Sequence, residues 1–533
     1  MKKVIPILVI VLLLPFVLAP GTVGAAAKQK VFEASTNMNL DTLDPAAYTS
    51  VSSAETIDQI NEGLYRYDAN NKVVPGMVSG KPKINSAKTV YTYTLRKAYW
   101  TNGDPVTAQD FVYGFQRKVS PKNGSSLTDF IKNGQAIRLN QKPTSDLGVE
   151  AVDSHTLKIT LEQPIPFIEQ YLTNAHFMPV NEKFATKVGD KYGTSAATTL
   201  SNGPFVLKNW TGTNDSWQLV KNSKYYDAKS VKINQVNVQV IKDTGTLMNL
   251  FDSGKLDYGT IGDNNVQKYA GQKVLHKKQT PTIGYISINN KRKNTANVHL
   301  RRALAMSYDK KGLTNNFLAD GSKPLDGVVP TGLATNPTTN KDYRKDTGNL
   351  LSYNPKAAAK EWKLAQKQLG IKNVTIQLLS ADTDQAKNVS QYLQSQIESH
   401  LKGVTISVKA MPVAQRIQTE QNGDYDIAFG TYVPDYADPM SLLFMFTTDQ
   451  KLNFSHYSNK DYDADIAAVN GALATKPAAR YKKLQAAEKT MMDDAVIAPV
   501  YQAGIAYLLS DRFSHFQFQP LGQIAEYRYI QPK

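Results

Sequence analysis

The chain has 533 residues, of which 62 are Lys or Arg and 46 are Asp or Glu, so its formal net charge is +16. Its hydrophobic content of 41% and charged content of 20% argue against wholesale disorder, fibrous repeats and multi-span membrane proteins. Cysteine is absent, which excludes disulfides, Cys-ligated metals and thiol nucleophiles. The basic residues are scattered, with no run longer than Lys291-Arg292-Lys293, and this favours an anionic cell surface over nucleic acid as a partner.

The first 27 residues resemble a secretory signal peptide. Lys2 and Lys3 precede an apolar run at 4–19, and small residues then offer cleavage points after Ala25 or Ala27. The alternative is a permanent membrane anchor, but the run is shorter than the roughly 20 residues that a spanning helix needs. Cleavage is therefore favoured, and it leaves a net charge of 16 − 2 = +14.

The first half of the chain is predicted to mix helices and strands. Thr107 followed by Asp110 indicates the capped start of a helix that ends near Lys118. A shorter helix is predicted at 55–64. Period-two alternation of β-branched and aromatic residues predicts strands at 31–35, 90–95, 156–161, 204–207, 217–220 and 236–241.

The second half alternates strands with helices. Asn354 before Pro355 indicates a helix start, and Gly370 indicates its end. A β-α-β-α-β order follows, which implies parallel strands and a ligand site beyond their carboxyl ends. The loop at 431–439, which is rich in aromatic and acidic residues, comes directly after the last of these strands. The predicted elements, strands and helices in alternation, are 374–379, 384–401, 404–408, 413–421 and 425–430.

Motifs for catalysis are missing from the sequence. There is no G-x-S-x-G elbow, no H-E-x-x-H and no Walker A loop, and the seven histidines stand singly. The run 461–465 resembles a calcium loop, but Ile466 and Ala472 occupy the positions that require Gly and Glu, so we interpret it as a solvated helix start. We expect no enzyme activity, no metal and no cofactor.

Several segments resemble one family. The stretch from Trp100 to Phe111, W-T-N-G-D-P-V-T-A-Q-D-F, is similar to the long signature of the family 5 extracellular solute-binding proteins, the OppA-type oligopeptide-binding proteins. Further matches occur in the family's order across essentially all of the chain after the signal segment. They are Leu43-Asp44-Pro45, Glu62-Gly63-Leu64, Ser201-Asn202-Gly203-Pro204-Phe205, Leu300-Arg301-Arg302-Ala303-Leu304 and 494–501.

This resemblance implies a mixed α/β fold of the periplasmic-binding-protein type (type II, cluster C), with two lobes and an extra inserted domain. The two lobes close on the ligand and are joined by two crossings, expected near 285–289 and 499–507. The implied division is a signal peptide at 1–27, lobe I at 28–61, 200–285 and 501–533, the inserted domain at 62–199, and lobe II at 286–500.

The resemblance also implies a peptide-binding mode. Extended segments of both lobes, Thr49-Ser50-Val51 and Tyr432-Val433, would flank the peptide backbone and pair with it as strands do. The peptide ammonium needs a carboxylate, and the family's (W/Y)-x-x-D-Y segment places that role on Asp435. The alternative for Asp435 is a turn aspartate that bonds only to nearby backbone.

Three tyrosines, Tyr432, Tyr436 and Tyr285, are candidates for cleft walls, with core packing as the alternative. Asp438 precedes Pro439 and an apolar run, which predicts a structural helix-capping role. Some family members hold the peptide carboxylate with a histidine, but the matching region, 382–387, has none. The Thr49 position is acidic in some members, so the resemblance gives this chain no preference for basic peptides.

Three functions remain open on these grounds. The first is a monomeric, extracytoplasmic receptor that passes oligopeptides to the membrane permease of an ABC importer. The second is a receptor with the same fold that binds another solute, and the third is a surface or adhesion protein bound to anionic cell-wall polymers.

Family members of Gram-positive bacteria usually carry a lipidated cysteine after the signal, and the stretch at 17–22 resembles that site without the cysteine. Retention through positive charge is therefore expected, or release from the cell.

Overall fold

The structure is a computed structural model that describes residues 30–123, 126–262, 265–448, 450–521 and 524–533. The predicted signal peptide at 1–27, with the cysteine-free stretch at 17–22, lies outside the described residues. The described part is a mixed α/β structure with one large sheet and several small ones. Within it, no helix combines the length and apolarity needed to cross a bilayer.

The strands are numbered in chain order. They are β1 Val31–Thr36, β2 Tyr65–Tyr67, β3 Val73–Pro75, β4 Lys83–Ile84, β5 Val90–Thr94, β6 Val149–Asp153, β7 Thr156–Thr160, β8 Phe205–Lys208, β9 Ser216–Lys221, β10 Gln235–Val240, β11 Tyr258–Ile261, β12 Leu275–Ile288, β13 Lys323–Pro324, β14 Val374–Ala381, β15 Val404–Met411, β16 Ile427–Tyr432, β17 Ile497–Leu509, β18 Phe513–Ser514, β19 Gln517–Phe518, β20 Ala525–Glu526 and β21 Gln531–Pro532.

The α-helices are numbered in the same way, and short 3₁₀ and π turns occur between them. The α-helices are α1 Val51–Ile60, α2 Ala108–Val119, α3 Gly134–Arg138, α4 Ile168–Tyr171, α5 Glu182–Val188, α6 Thr244–Asp252, α7 Asn265–Lys268, α8 Val298–Met306, α9 Lys310–Gly312, α10 Tyr343–Thr347, α11 Pro355–Leu369, α12 Asp384–His400, α13 Val413–Asn422, α14 Met440–Leu443, α15 Lys460–Asn470 and α16 Pro477–Asp493.

The large sheet has the order β15-β14-β16-β12-β17-β11-β1-β10-β9-β8, with β13 paired to β17. Its first part contains the predicted β-α-β-α-β unit: β14 is parallel to both β15 and β16, with α12 and α13 as crossovers. The parallel pairing predicted for the second half is therefore confirmed. The caps of α11 are confirmed as well, since the Asn354 side chain accepts a bond from the Ala357 N–H at 3.0 Å and Gly370 has φ 68°.

Two long strands, β12 and β17, connect the two halves of this sheet. They pair with each other over most of their length, and their register shifts between Gln279 and Ile283. Beyond the shift, β12 pairs with β16 on one side, while β17 pairs with β11 on the other. Gln502 reinforces the shifted region, because its side-chain N–H donates to the backbone carbonyls of Thr280 and Thr331, both at 2.9 Å.

Separate hydrophobic cores lie on the two sides of this connection. Among the described residues, the buried members of one core run from Ile283 to Tyr501, and the partly buried Ala503 and Leu521 pack against it. A second core joins β1, β8, β9 and β10 to the C-terminal segment around Ile505 and Tyr527. In β12 the buried residues of the first core begin at Ile283, directly after the register shift between Gln279 and Ile283. The crossing expected at 285–289 stays a prediction.

A third core packs around the four-stranded sheet β4-β5-β7-β6, and its residues run from Leu64 to Leu200. Trp100 is fully buried there, and its indole N–H donates to Asp110 at 3.2 Å. Asp110 also accepts the backbone N–H of Thr107 at 2.8 Å, which completes the capping box of α2. The W-T-N-G-D-P signature thus fixes a turn and a helix start within this core.

Two other motifs meet at the junction of the second and third cores. The Asn202 side chain bonds both the N–H of Glu62, at 3.0 Å, and its carbonyl, at 3.1 Å. The buried Glu62 carboxylate then pairs with Arg528 at 2.9 Å and with Arg66 at 3.2 Å. Glu62 therefore joins two motifs far apart in sequence to the C-terminal segment, which is a structural role.

Candidate functional site

Strand β16 is followed by the loop at 431–439, which the sequence analysis predicts as part of a ligand site. Strand β16 lies between the parallel strand β14 and the long strand β12, and it ends at Tyr432. The chain then continues through Val433 and Pro434 to Asp435. Ligands bind at such carboxyl ends because the loops there face open space.

A cavity of about 190 Å³ separates this loop from the opposite lobe. Its lining includes two acidic residues, and no Lys, Arg or His is found among the described residues that line it. Those residues are Val433, Pro434 and Asp435 on one side and Tyr48, Asp58, Tyr67, Gln170, Thr173, Asn174, Ala175, Gln519, Leu521 and Ile524 on the other.

A larger groove of about 880 Å³ adjoins the cavity and shares Tyr67 and Gln170 with it. Its walls include the segment 164–170, next to the third core, and the segments 332–335 and 474–477 of the second half of the chain. An elongated ligand could occupy the cavity and extend into the groove, since the two spaces adjoin.

Asp435 is exposed to this cavity and has no basic partner among the described residues. Its carboxylate accepts a hydrogen bond from the Tyr432 hydroxyl at 2.9 Å. The surrounding protein raises the pKa of Asp435, because it removes the carboxylate from bulk water, and the Tyr432 hydrogen bond opposes that rise. A carboxylate that is removed from bulk water and has no ion pair is stabilised when a cation binds to it.

Tyr285 and Tyr432 lie beside each other on paired strands, with Tyr285 opposite Gly430 and Ile283 opposite Tyr432. Burial raises the pKa of both hydroxyls, and for Tyr432 the Asp435 carboxylate adds to the rise. Neither tyrosine is among the residues that line the 190 Å³ cavity, and only Tyr432 bonds Asp435 directly.

Tyr436 packs away from the cavity against the third core. Its ring stacks on Phe167 at 4.1 Å between centroids and 9° between planes, and it lies 5.2 Å from Tyr171. The loop that carries Asp435 is thereby held against the opposite side of the cleft through aromatic contacts.

Asp438 forms a two-pronged ion pair with Arg480, at 2.6 and 2.9 Å, and accepts the N–H of Met440 at 2.9 Å. The structural role predicted for Asp438 agrees with these contacts. Arg480 also lies 5.8 Å from the Phe167 ring, so the pair extends the aromatic contacts of Tyr436.

The segment Thr49-Ser50-Val51 differs from the extended strand that was expected. Val51 is the first residue of α1, and the Ser50 hydroxyl caps that helix by accepting the Ser53 N–H at 3.1 Å. The Asp41 carboxylate accepts the N–H groups of Thr49, at 2.7 Å, and Ser50, at 3.2 Å, together with both of their hydroxyls. Ser50 itself keeps an extended backbone, with φ −85° and ψ 147°, but the donors of Thr49 and Ser50 already have partners in this conformation. Pairing of this segment with a peptide therefore stays a prediction.

The sequence analysis missed most of the cavity wall opposite Asp435. Tyr48 precedes the segment that was proposed, whereas Asp58 lies within α1 and Gln519 comes from the C-terminal segment. No motif connects residues 58 and 519, and only the tertiary fold brings them together. The available signal was an acidic residue, Asp58, between the apolar residues Ile57 and Ile60 of a predicted helix.

The structure offers no obvious metal site. Within the described ranges, no three His, Asp or Glu side chains are grouped so that they could hold an ion. The calcium-like run at 461–465 forms the first turns of α15, and the Asn459 side chain caps that helix.

Comparison with known proteins identifies similar chains over nearly the whole length. The family model described as bacterial extracellular solute-binding proteins, family 5, matches residues 72–454. A dipeptide-binding protein of Lactococcus lactis is 30% identical over 516 residues, which cover 93% of each chain. The structure of Listeria monocytogenes OppA bound to peptide superposes with a TM-score of 0.78 at 37% identity, covering 94% of this chain and 99% of that one.

A third similar protein is the substrate-binding domain of an oligopeptide ABC transporter from Bacillus anthracis. Its structure superposes with a TM-score of 0.79 at 37% identity, covering 94% of this chain and 98% of that one.

Proposed function

The chain belongs to the bacterial extracellular solute-binding proteins of family 5, and on that premise we propose that it captures peptides in the cleft between its lobes and delivers them to the membrane permease of an ABC importer. The observation that carries this proposal is the cavity at the carboxyl end of β16, where Asp435 has no basic partner among the described residues. A free peptide supplies the missing cation through its terminal ammonium. The peptide bound to Listeria monocytogenes OppA and the oligopeptide transporter to which the Bacillus anthracis domain belongs support the same chemistry.

In this proposal the ammonium of the peptide binds Asp435, and the backbone runs from the cavity into the larger groove. Tyr432 orients the carboxylate, while Val433 offers exposed backbone for strand-like pairing. Pro434 has no N–H to donate, which limits that pairing. Tyr285 and Tyr436 support the loop. Affinity then depends on main-chain contacts, so many side chains are tolerated.

The opposite wall has a different part in binding. Tyr48 lines the cavity and places Thr49 and Ser50 near the peptide. Since the donors of Thr49 and Ser50 are bonded to Asp41, these residues and Val51 act as a shaped wall rather than as a pairing strand.

The lobes close by movement about the β12 and β17 connection. We place lobe I at 28–61, 200–285 and 501–533, the inserted domain at 62–199 and lobe II at 286–500. The register shift between Gln279 and Ile283 supports a hinge there, because it interrupts the otherwise regular pairing of the two strands. The protein acts as a monomeric receptor and not as an enzyme.

An extracytoplasmic location follows from this function. The segment at 1–27 acts as a cleaved signal peptide, and the net charge of 16 − 2 = +14 attracts the mature protein to anionic wall polymers. Salt weakens such attraction, so a salt wash that releases the protein from cells supports charge-based retention, whereas detergent-dependent release contradicts it.

Calorimetry with trialanine tests the proposed site. We expect N-acetylation of trialanine to weaken binding to the wild-type protein by about 100-fold, because it removes the charge that Asp435 accepts. The variant Asp435→Asn should bind free trialanine about 100-fold more weakly and should discriminate little between the free and acetylated forms.

The matched control is Asp424→Asn, which changes the same group at an exposed position of the same lobe, outside the cavity. It should bind trialanine as the wild type does. If Asp435→Asn and the wild type show the same affinity and the same response to acetylation, the role of Asp435 is refuted. If no free peptide of a mixed library binds, peptide capture itself is refuted.

A further inference from the structure

A second carboxylate, Asp58, faces the cavity from the wall opposite Asp435. It belongs to α1, is only 7% exposed, and is one of the two acidic residues in the lining. The side chain of Gln519, another lining residue, donates to its Oδ2 at 2.6 Å. No ion pair of Asp58 is found in the part of the chain that the structure describes.

The nearby arginines are already engaged with other acids. Arg528 pairs with Glu62 at 2.9 Å and lies 3.7 Å from Glu526, while Arg66 pairs with Glu62 at 3.2 Å. Glu55 adds another buried acid, which accepts the Tyr527 hydroxyl at 2.6 Å and the Ala525 N–H at 3.0 Å.

The cluster therefore contains more carboxylates than guanidinium groups. Its members are the four acids Glu55, Asp58, Glu62 and Glu526 and the two bases Arg66 and Arg528. This acidic excess contrasts with the chain as a whole, whose net charge is +16. An excess of negative charge that faces a ligand cavity is relieved when the ligand brings a cation.

Two tyrosines, Tyr48 and Tyr67, line the cavity together with Asp58. The Tyr67 hydroxyl is buried and interacts with the Thr173 side chain, and Tyr67 also lines the adjoining groove. Burial raises the pKa of the Tyr48 and Tyr67 hydroxyls, and the Asp58 carboxylate raises both further. A hydroxyl and a carboxylate that line the same cavity offer an ammonium or guanidinium group two acceptors.

We propose that Asp58 is a specificity residue that accepts a basic side chain of the bound peptide, with the Tyr67 hydroxyl as a second acceptor. The receptor then selects peptides that carry Lys or Arg near the amino terminus, whose ammonium lies at Asp435. This selection rests on the proposed peptide-binding function. The preference for basic peptides would then come from Asp58. This residue belongs to none of the family motifs, and it differs from Thr49, the position that is acidic in some family members.

A proton balance accompanies this binding. Burial is the main cause that raises the pKa of Asp58, the carboxylates of Glu526 and Glu62 and a side-chain hydrogen bond with Glu526 add to the rise, and Arg528 opposes it. Asp58 therefore retains its proton to a higher pH than an ordinary aspartate. When a basic side chain arrives, the carboxylic O–H bond breaks, the proton leaves to the buffer and the carboxylate pairs with the cation.

Calorimetry with trialanine derivatives tests the proposal on the full-length protein. Each position is occupied in turn by Lys or by norleucine, which has a similar length but no charge. We expect one of the first two positions to favour Lys over norleucine by about tenfold in the wild type, and Asp58→Asn to reduce this ratio to below about twofold. Repeating the titration in buffers of different ionisation enthalpy near pH 6 should show proton release for the Lys peptide alone.

The variant Asp58→Asn retains an acceptor for Gln519, and its melting curve checks that it folds. If the wild type binds Lys and norleucine peptides equally at every position, or if Asp58→Asn keeps the Lys preference, the proposal is overturned while peptide binding stands. The variant Tyr67→Phe provides a second test, since it should reduce the ratio of Lys to norleucine affinity, whatever its effect on overall affinity. Failure of all trialanine derivatives to bind would instead contradict the proposed function.

Discussion

The two segments expected to flank the peptide, 49–51 and 432–435, differ in how their polar groups are used. In the first, the donors of Thr49 and Ser50 are bonded to Asp41, and Ser50 caps α1. In the second, the Asp435 carboxylate receives one hydrogen bond, from Tyr432, and no ion pair among the described residues.

The electrostatics of the two aspartates follow from this difference. Burial favours the protonated form of Asp41, but hydrogen bonds from Ser53 and Thr49 outweigh it and hold the pKa of Asp41 well below its usual range. For Asp435 burial prevails over the single hydrogen bond from Tyr432, and the pKa is raised. A carboxylate with satisfied partners stabilises the fold, whereas one without them is available to a ligand.

The largest effect is expected from Asp41→Ala, which leaves the donors of Thr49 and Ser50 without their acceptor. The variant should lose about 1–2 kcal/mol of unfolding free energy, a value that allows for the solvent exposure of Asp41. Because the pKa of Asp41 is lowered in the folded state, its contribution exists above the pKa of the unfolded chain and disappears as the pH falls. Urea unfolding at pH 7 and pH 3 measures both effects.

The matched variant is Asp435→Ala, which should unfold within about 0.5 kcal/mol of the wild type or be more stable than it at pH 7. The raised pKa of Asp435 means that the folded state disfavours its ionised form, so removing the carboxylate relieves that cost. Equal destabilisation by the two substitutions would contradict the division of roles between Asp41 and Asp435.

Elements whose ends or order depend on nearby residues could be predicted from the sequence. Asn354 and Gly370 set the ends of α11, Thr107 and Asp110 form the cap of α2, and alternating strands and helices gave the parallel unit around β14. The helix predicted at 55–64 was wrong by four residues at each end, because Ser50 caps it earlier than expected. Ser50 is extended and also caps the helix, as N-cap residues do, so an extended segment and a helix start meet at this residue.

The candidate site could be predicted on one side only. Asp435 follows a strand within a recognisable motif, so its position at the carboxyl end of β16 was accessible from sequence. Asp58 and Gln519 meet 461 residues apart, and the acidic excess around them depends on how Arg528 is shared between Glu62 and Glu526. Such pairings arise from tertiary packing, and local sequence patterns carry no information about them.

A smaller effect is expected from Tyr436→Ala. This substitution removes the ring that stacks on Phe167 and Tyr171 and so weakens the contact that holds the Asp435 loop across the cleft. Aromatic pairs contribute about 0.5–1.5 kcal/mol beyond area burial, so affinity for trialanine should fall about fivefold. Tyr436→Phe retains the ring and should bind as the wild type does. A similar loss in both variants would assign the effect to the hydroxyl instead.

The smallest effect, and the one that addresses Asp435 most directly, is expected from Tyr432→Phe. The Tyr432 hydrogen bond favours the ionised form of Asp435, so its removal should raise the pKa of Asp435 further. More of the carboxylate is then protonated as the pH falls, and an uncharged acid binds an ammonium weakly. We expect trialanine affinity to fall about threefold near pH 5 and to be nearly unchanged at pH 8.

Tyr436→Phe, which also removes one phenolic hydroxyl from this loop, is the control for this substitution and should show no such pH dependence. A loss of the same size at both pH values would mean that Tyr432 contacts the peptide itself rather than acting through Asp435.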